Sequence, residues 1–225
     1  MDLGQPALSA GQTKARGRFI TFEGGEGAGK STQAGLLVKA LARAGITAVQ
    51  TREPGGSPGA EAIRRLLLEG ASERWDAMGE VLLFNAARRD HVAKLIEPAL
   101  ARGDWVVCDR FADSTMAYQG YGRGLPLADL LALQRLALED FAPDLTLILD
   151  LSVDAGLARA AARPGASDRF ERLDREFHDR LRQGFLRIAA DNPGRCVVID
   201  AAGDIGNVHH AVLGAVAERL GVALR

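Results

Sequence analysis

The first segment whose residues could do chemistry is a glycine-rich loop, which reads GGEGAGKS from Gly24 to Ser31. It matches the phosphate-binding pattern G-x-x-x-x-G-K-[ST] and lies between a predicted strand and a predicted helix. Its glycines let backbone N–H groups turn towards phosphate oxygens, and the helix N-terminus adds positive potential. Lys30 would reach the β- and γ-phosphates, and the Ser31 hydroxyl could bind Mg²⁺. The residues predicted to bind the phosphates of a nucleotide are Gly24, Gly25, Glu26, Gly27, Ala28, Gly29, Lys30, Ser31 and Thr32.

This phosphate-binding loop (P-loop) does not by itself separate kinases from GTPases, ATPase motors or nucleotide switches. The chain contains no N-K-x-D motif for reading guanine, which disfavours a GTPase. The third and fourth predicted strands end at Asp109 and Asp150, and either carboxylate could orient water on Mg²⁺. Residues in other loops are therefore needed to identify the reaction.

Three segments carry arginines, two directly after predicted strands and the third after the fourth strand and a short helix. Segment 51–56 reads TREPGG, segment 109–111 reads DRF, and segment 163–169 reads RPGASDR. A guanidinium group is a planar fork of donors that suits phosphate oxygens. Because ligands collect at the carboxyl ends of parallel strands, these arginines predict an anion site at that edge of the sheet.

A predicted helix places Phe84 and Arg88 four residues apart, on one face. An aromatic ring that stacks beside a guanidinium that donates hydrogen bonds would form a pocket for a nucleotide base. The same pair, taken alone, also fits a core phenylalanine beside an exposed arginine. His91 is interpreted as a structural residue.

The elements that must position these residues alternate between short apolar runs and longer segments of helical periodicity. The predicted strands are 19–22, 47–51, 105–108, 146–149 and 196–199. The predicted helices are 30–44, 60–68, 80–101, 127–139, 153–162, 170–190 and 208–220. This alternation predicts an α/β protein with a five-stranded parallel sheet flanked by helices.

Length and composition limit the classes of protein. The 225 residues suit a single domain, and the net charge of −1 argues against a nucleic-acid or membrane-surface binder. Neither a membrane span nor a signal peptide is recognisable, so we expect a cytoplasmic protein. Residues 1–17 are expected to be a disordered leader, and Cys108 and Cys196 to be buried strand residues.

Together these motifs identify a resemblance to the bacterial thymidylate kinase family, from about residue 18 to residue 225. It rests on five ordered segments, which read FEGGEGAGKST, TREPGG, LLFNAARRDHV, VVCDRFADSTMAYQGYGRG and DRFE. The resemblance implies a P-loop NTPase fold of three layers with a short mobile lid at about 163–170. It also implies transfer of phosphate from ATP, with Mg²⁺, to thymidine monophosphate for dTTP synthesis, and a homodimer.

The resemblance further implies roles for individual residues. Arg52 and Arg110 would clamp the phosphate of the acceptor, and Glu26 and Asp109 would join Ser31 near the metal. Phe84 would stack on thymine, Arg88 would donate to it, and Tyr118 would exclude a ribose 2′-hydroxyl. Further acceptor-site residues are Glu53, Ser114, Thr115 and Gln119. The residues expected to act in catalysis are Lys30, Glu26, Arg110, Arg163 and Arg169.

The P-loop contains no arginine, which resembles the bacterial subgroup that supplies a catalytic arginine from the lid. Arg163 is the first choice for that role and Arg169 the second. Two other functions stay open at this point. One is a kinase of the same class with another acceptor, and the other is a P-loop ATPase or nucleotide switch without an acceptor.

Overall fold

The computed structural model describes residues 15–71, 74–162, 170 and 172–224. Five strands form one parallel sheet in the order β2-β3-β1-β4-β5. They are β1 (Phe19–Glu23), β2 (Ala48–Arg52), β3 (Trp105–Asp109), β4 (Leu145–Asp150) and β5 (Cys196–Asp200). The five predicted strands are confirmed. Each ends one residue later than expected, because backbone pairing continues to a charged residue at the end of every strand.

The described helices flank this sheet. They are α1 (Lys30–Arg43), α2 (Pro58–Leu68), α3 (Ala77–His91), α4 (Glu97–Ala101), α5 (Ala112–Thr115), α6 (Leu127–Leu138), α7 (Val153–Ala161), α8 (Arg175–Asp191) and α9 (Ile205–Leu220). The helix predicted at 80–101 is interrupted by a π-helical turn, Val92–Ile96, directly before Pro98 comes into the helix. Proline has no N–H to donate to the preceding turn, so regular α-helical bonding is broken there.

Two further predictions need correction. The helix expected from residue 170 begins at Arg175, because the side chain of Asp174 accepts a hydrogen bond from the backbone N–H of Phe177 and caps it. Segment 112–122, which was not predicted to be helical, forms α5 and a second π-helical turn, Met116–Gly122. Its glycines and mixed polarity conceal the helical period.

The core lies on both faces of the sheet. Ile20, Phe22 and Val107 point to one face, where α1 and α9 cover them. Phe19, Val106 and Cys108 point to the other face. The expected burial of both cysteines is confirmed. Strands covered on both faces explain why the apolar runs lack alternation.

The N-terminal chain is packed from Arg16 onwards in the part that the structure describes. The N–H of Gly17 donates to Leu100 O at 2.9 Å, and the guanidinium carbon of Arg16 lies 5.9 Å from the centre of the Phe141 ring. Residues 1–14 of the predicted leader, and the predicted lid except Phe170, lie outside the described residues. None of the described helices has the length and apolar character needed to cross a membrane.

Candidate active site

The P-loop connects β1 to α1 at the carboxyl edge of the sheet. Gly29, at φ 89°, caps the N-terminus of α1, and Gly27 has φ 66°. A Cβ atom on Gly27 would lie 2.0 Å from Gly156 O, so α7 approaches the loop too closely for a side chain. The Nζ atom of Lys30 donates to Gly25 O at 2.7 Å and to Gly24 O at 3.2 Å. The predicted phosphate-binding residues are therefore brought together in one turn.

Lys30 is a buried cation surrounded by charged groups. Burial, and to a lesser extent the neighbouring Arg110, lower the pKa of its ammonium group from 10.5 to about 8, although Glu26 and Asp109 oppose this effect. An anion bound in the loop would offset the unfavourable burial. The site is thus electrostatically prepared for phosphate.

Oxygen ligands suited to Mg²⁺ lie beside the loop. The Ser31 hydroxyl donates to a carboxylate oxygen of Asp109, so these two side chains already converge. Asp150, the other candidate from the sequence, is held by both Nε and Nη2 of Arg182 at 2.7 and 2.8 Å. Mg²⁺ prefers oxygen ligands, and because both oxygens of Asp150 are already occupied by Arg182, the geometry favours Ser31 and Asp109.

A separate pocket of about 550 Å³ opens next to the P-loop cleft. It combines aromatic rings with charged and polar groups, as small-molecule sites do. Its lining includes Glu26, Glu53, Arg64, Phe84, Arg88, Arg110, Ser114, Thr115, Tyr118, Gln119 and Phe170. The two aromatic rings of Phe84 and Phe170 lie 6.2 Å apart, centre to centre. The predicted acceptor residues other than Arg52 thus share one cavity.

Arg88 is fixed by hydrogen bonds to three residues in this pocket. Its Nε donates to Glu53 at 2.7 Å, and its Nη2 donates to Phe111 O at 3.2 Å and to the Thr115 hydroxyl at 3.0 Å. Glu53 also contacts Nδ1 of His91 at 3.1 Å. Only 2% of Arg88 is exposed, and its Nη1 has no hydrogen-bond partner within the described part of the chain. That nitrogen is the donor left for a ligand.

Glu26 lies at the junction of the two cavities, since it lines both the pocket and the P-loop cleft. Arg110 Nη2 donates to it at 2.9 Å, and the Tyr118 hydroxyl donates to the same oxygen. Burial raises the pKa of Glu26, but Arg110, Lys30 and Tyr118 outweigh this and lower it to about 2. Glu26 is therefore a carboxylate throughout the physiological range.

Arg110 is held in an unusual conformation. Its φ of 70° is in the left-handed region, which costs a non-glycine residue about 1 kcal/mol or more. Its Nη1 donates to Gly24 O at 3.1 Å and to the Ser114 hydroxyl at 3.2 Å. These contacts aim the guanidinium between the P-loop and the pocket.

Arg52 also faces the P-loop cleft, although half of its side chain is exposed. Its Nη2 donates to both oxygens of Glu61 at 3.0 and 3.2 Å. The predicted lid arginines Arg163 and Arg169 lie outside the described residues.

Buried Glu23 supports the segment that carries Arg110. Its two oxygens accept from Phe111 N at 2.7 Å and from the Ser114 hydroxyl at 2.6 Å. Burial, together with the Asp113 carboxylate, raises the pKa of Glu23 from its ordinary 4.5 to about 8, although Ser114 and Arg110 oppose this effect. Motif inspection missed Glu23, whose only signal was a carboxylate at the end of β1.

Glu23 makes stability depend on pH. Between its unfolded pKa of 4.5 and its folded pKa of about 8, the folded protein holds the extra proton, so stability falls as pH rises through this window. Glu23→Gln cannot titrate and should remove a slope approaching about 1 kcal/mol per pH unit. Denaturant unfolding of both proteins at about pH 6, 7 and 8 measures it. If the free energy of unfolding changed with pH equally in both proteins, the raised pKa of Glu23 would be contradicted.

Sequence inspection also missed Arg159, which carries no motif signal. Its Nη1 and Nη2 donate to Ala201 O at 3.0 Å and Ala202 O at 3.2 Å. It lines a groove on the far side of the P-loop together with Thr32, Gln33 and Ile205. This groove adjoins the phosphate-binding turn and has room for a second part of the nucleotide.

Comparison with known proteins gives a consistent match. A sequence model of the thymidylate kinase family matches residues 22–212. The chain is 55% identical over 207 residues to thymidylate kinase from Caulobacter vibrioides, covering 92% of this chain and 99% of that protein. It is 56% identical over 211 residues to thymidylate kinase from Nitrobacter hamburgensis, covering 92% and 91%. The crystal structure of thymidylate kinase from Ehrlichia chaffeensis superposes with a TM-score of 0.72 at 39% identity, covering 89% of this chain and 99% of that one.

Proposed function

This chain belongs to the thymidylate kinase family and phosphorylates thymidine 5′-monophosphate with ATP in dTTP biosynthesis, and we propose that its two adjoining cavities hold the two substrates. The P-loop cleft takes the phosphates of ATP, and the aromatic pocket takes the acceptor. The observation that carries this assignment is their common wall. Both cavities are lined by Glu26, Glu53, Arg64 and Arg110.

The aromatic pocket has groups that match a thymine ring. Phe84 offers a face for stacking, Arg88 Nη1 can donate to the 4-carbonyl oxygen, and Gln119 can contact the ring edge. Tyr118 lies under the sugar in this arrangement, where its ring leaves no room for a 2′-hydroxyl. Thr115 and Glu53 act by holding Arg88.

The shared wall brings the reacting phosphates together. Arg110 and Arg52 hold the phosphate of the acceptor, and Lys30 holds the γ-phosphate of ATP. A phosphate monoester has a second pKa near ~6 and is largely a dianion at neutral pH, so it needs no general base. Catalysis consists of alignment and of neutralising charge on the transferred group. Glu26 keeps Arg110 and Tyr118 in place between the two substrates.

Magnesium is part of this proposal, and Ser31, Asp109 and Glu26 are the residues we assign to its site. When bound, the ion neutralises charge on the phosphates of ATP. The groove lined by Arg159 is proposed to hold the adenine and ribose. Arg163, with Arg169 as second choice, is proposed to supply the catalytic arginine from a lid at about 163–170.

An acceptor panel tests the function. With ATP and Mg²⁺, ADP release should require thymidine monophosphate and be much slower with dCMP, dAMP, dGMP or thymidine. ATP consumption that does not depend on any added monophosphate would contradict a kinase. Preference for another monophosphate would contradict the assignment of the pocket while leaving the P-loop assignment intact.

Three further proposals concern the whole protein. We treat residues 18–225 as one kinase domain, because one sheet extends from β1 to β5.

We propose a homodimer, which the family supports. Three exposed leucines also support it, namely Leu82 on α3 and Leu131 and Leu136 on α6, which are 53%, 47% and 82% exposed. Light scattering should give twice the chain mass of 23.9 kDa, and the mass of one chain would contradict the homodimer. A cytoplasmic location is supported by the nucleotide substrates and is checked by cell fractionation.

A further inference from the structure

A buried polar cluster lies beside the base pocket, formed by Glu80 of α3 with Gln119 and Arg123. Glu80 is 0% exposed and Gln119 is 1% exposed. Nε2 of Gln119 donates to one oxygen of Glu80 at 2.9 Å, and Nη2 of Arg123 donates to the other at 3.0 Å. The phosphoryl transfer described above uses neither Glu80 nor Arg123.

The carboxylate determines how the Gln119 amide is oriented. A glutamine amide can present either its NH₂ group or its oxygen to a neighbour, but a carboxylate only accepts hydrogen bonds. Glu80 therefore selects the NH₂ group and leaves Oε1 of Gln119 for other contacts. That oxygen is buried and has no hydrogen-bond partner among the described residues, although Gln119 lines the base pocket.

A buried acceptor without a partner is costly unless a ligand supplies the donor. The ring of thymine or uracil has an N–H at position 3 and a carbonyl at position 4. Cytosine reverses both, with a lone pair at N3 and an amino group at C4. The pocket presents an acceptor from Gln119 and a donor from Arg88 Nη1, which match the first pattern and mismatch the second.

We propose that Glu80 is a positioning residue that determines specificity, because it locks the Gln119 amide with its oxygen available to the N3–H of a 4-keto pyrimidine. This inference rests on the proposed placement of the acceptor base. Arg123 holds Glu80 in place from the other side, because its Nη2 donates to the carboxylate oxygen that Gln119 does not contact.

Glu80→Gln tests the inference with little change in shape. A glutamine at this position can donate as well as accept, so the Gln119 amide is no longer held in one orientation. We measure kcat/KM for dTMP and dCMP in the wild type, Glu80→Gln, Gln119→Leu and the double variant. The dTMP/dCMP ratio should fall about tenfold in Glu80→Gln, mainly through the KM for dTMP. In the Gln119→Leu background the same change should alter the ratio less than about twofold.

Glu97→Gln, at an exposed glutamate of α4, is the matched control and should leave the ratio unchanged. A ratio within about twofold of the wild type in a Glu80→Gln protein that melts normally would overturn the inference. An equal fall in both Gln119 backgrounds would also overturn it, because Glu80 would then act by another route.

If Glu80→Gln does not fold, Arg123→Met replaces it, with an expected fall of about threefold, and an unchanged ratio overturns the inference. Failure of the proposed function gives a different result. The wild type itself would then show no preference for dTMP over dCMP.

Discussion

Lys30→Met is expected to lower kcat by roughly 10³ while the protein remains folded. The ammonium group is aimed by two P-loop carbonyls, at 2.7 and 3.2 Å, so it is in place before charge develops on the transferred phosphoryl group. Preorganised charge in a buried site stabilises a transition state more than mobile charge in water. Methionine keeps an unbranched side chain of similar length, and so removes the charge with little change in packing.

Single-turnover phosphoryl transfer from ATP to thymidine monophosphate measures this effect directly, since product release does not contribute. Lys39→Met is the matched control, because Lys39 is an exposed residue of the same helix and should tolerate the change. A Lys30→Met enzyme within tenfold of the wild-type rate would show that Lys30 only shapes the loop.

Arg163→Ala should also lower kcat strongly, by about 10³, with little change in the affinity for ATP. The described arginines around the P-loop are already held by other groups. Arg110 donates to Gly24, Ser114 and Glu26, and Arg159 donates to Ala201 and Ala202. A further cation would neutralise charge that spreads over the transferred group, and we propose that segment 163–169 supplies it.

Steady-state kinetics of Arg163→Ala and Arg169→Ala, with ATP binding measured by calorimetry, separate the two candidates. The catalytic arginine is the one whose removal lowers kcat without weakening the binding of ATP. Retention of more than half of the wild-type kcat would remove Arg163 from this role, and the same result for both would exclude a catalytic arginine at these two positions.

Local patterns predicted much of the fold, and they selected the residues that line the candidate site. The five strands were found from apolar runs, which are clearest in the three central strands because these are buried on both faces. Segment 112–122 was missed as helix because π-helical turns do not follow the 3.6-residue period that identifies a helix. The predicted strands ended one residue short because the last residue of each strand is polar, and a polar residue does not extend an apolar run.

The sequence by itself determined the form of the proposed phosphate-binding loop, because its nine consecutive residues take a geometry that follows from glycine and a helix N-terminus. Only the tertiary structure decided which charges pair. From the sequence, Asp109 and Asp150 were equal candidates for the metal site. In the folded chain Asp150 pairs with Arg182, whereas Asp109 lies beside Ser31. Arg88 is buried because Glu53 and Thr115 meet it from elements distant along the chain. The strand order β2-β3-β1-β4-β5 brings these distant segments together, and buried charged side chains pair with whichever group lies near them in the folded chain.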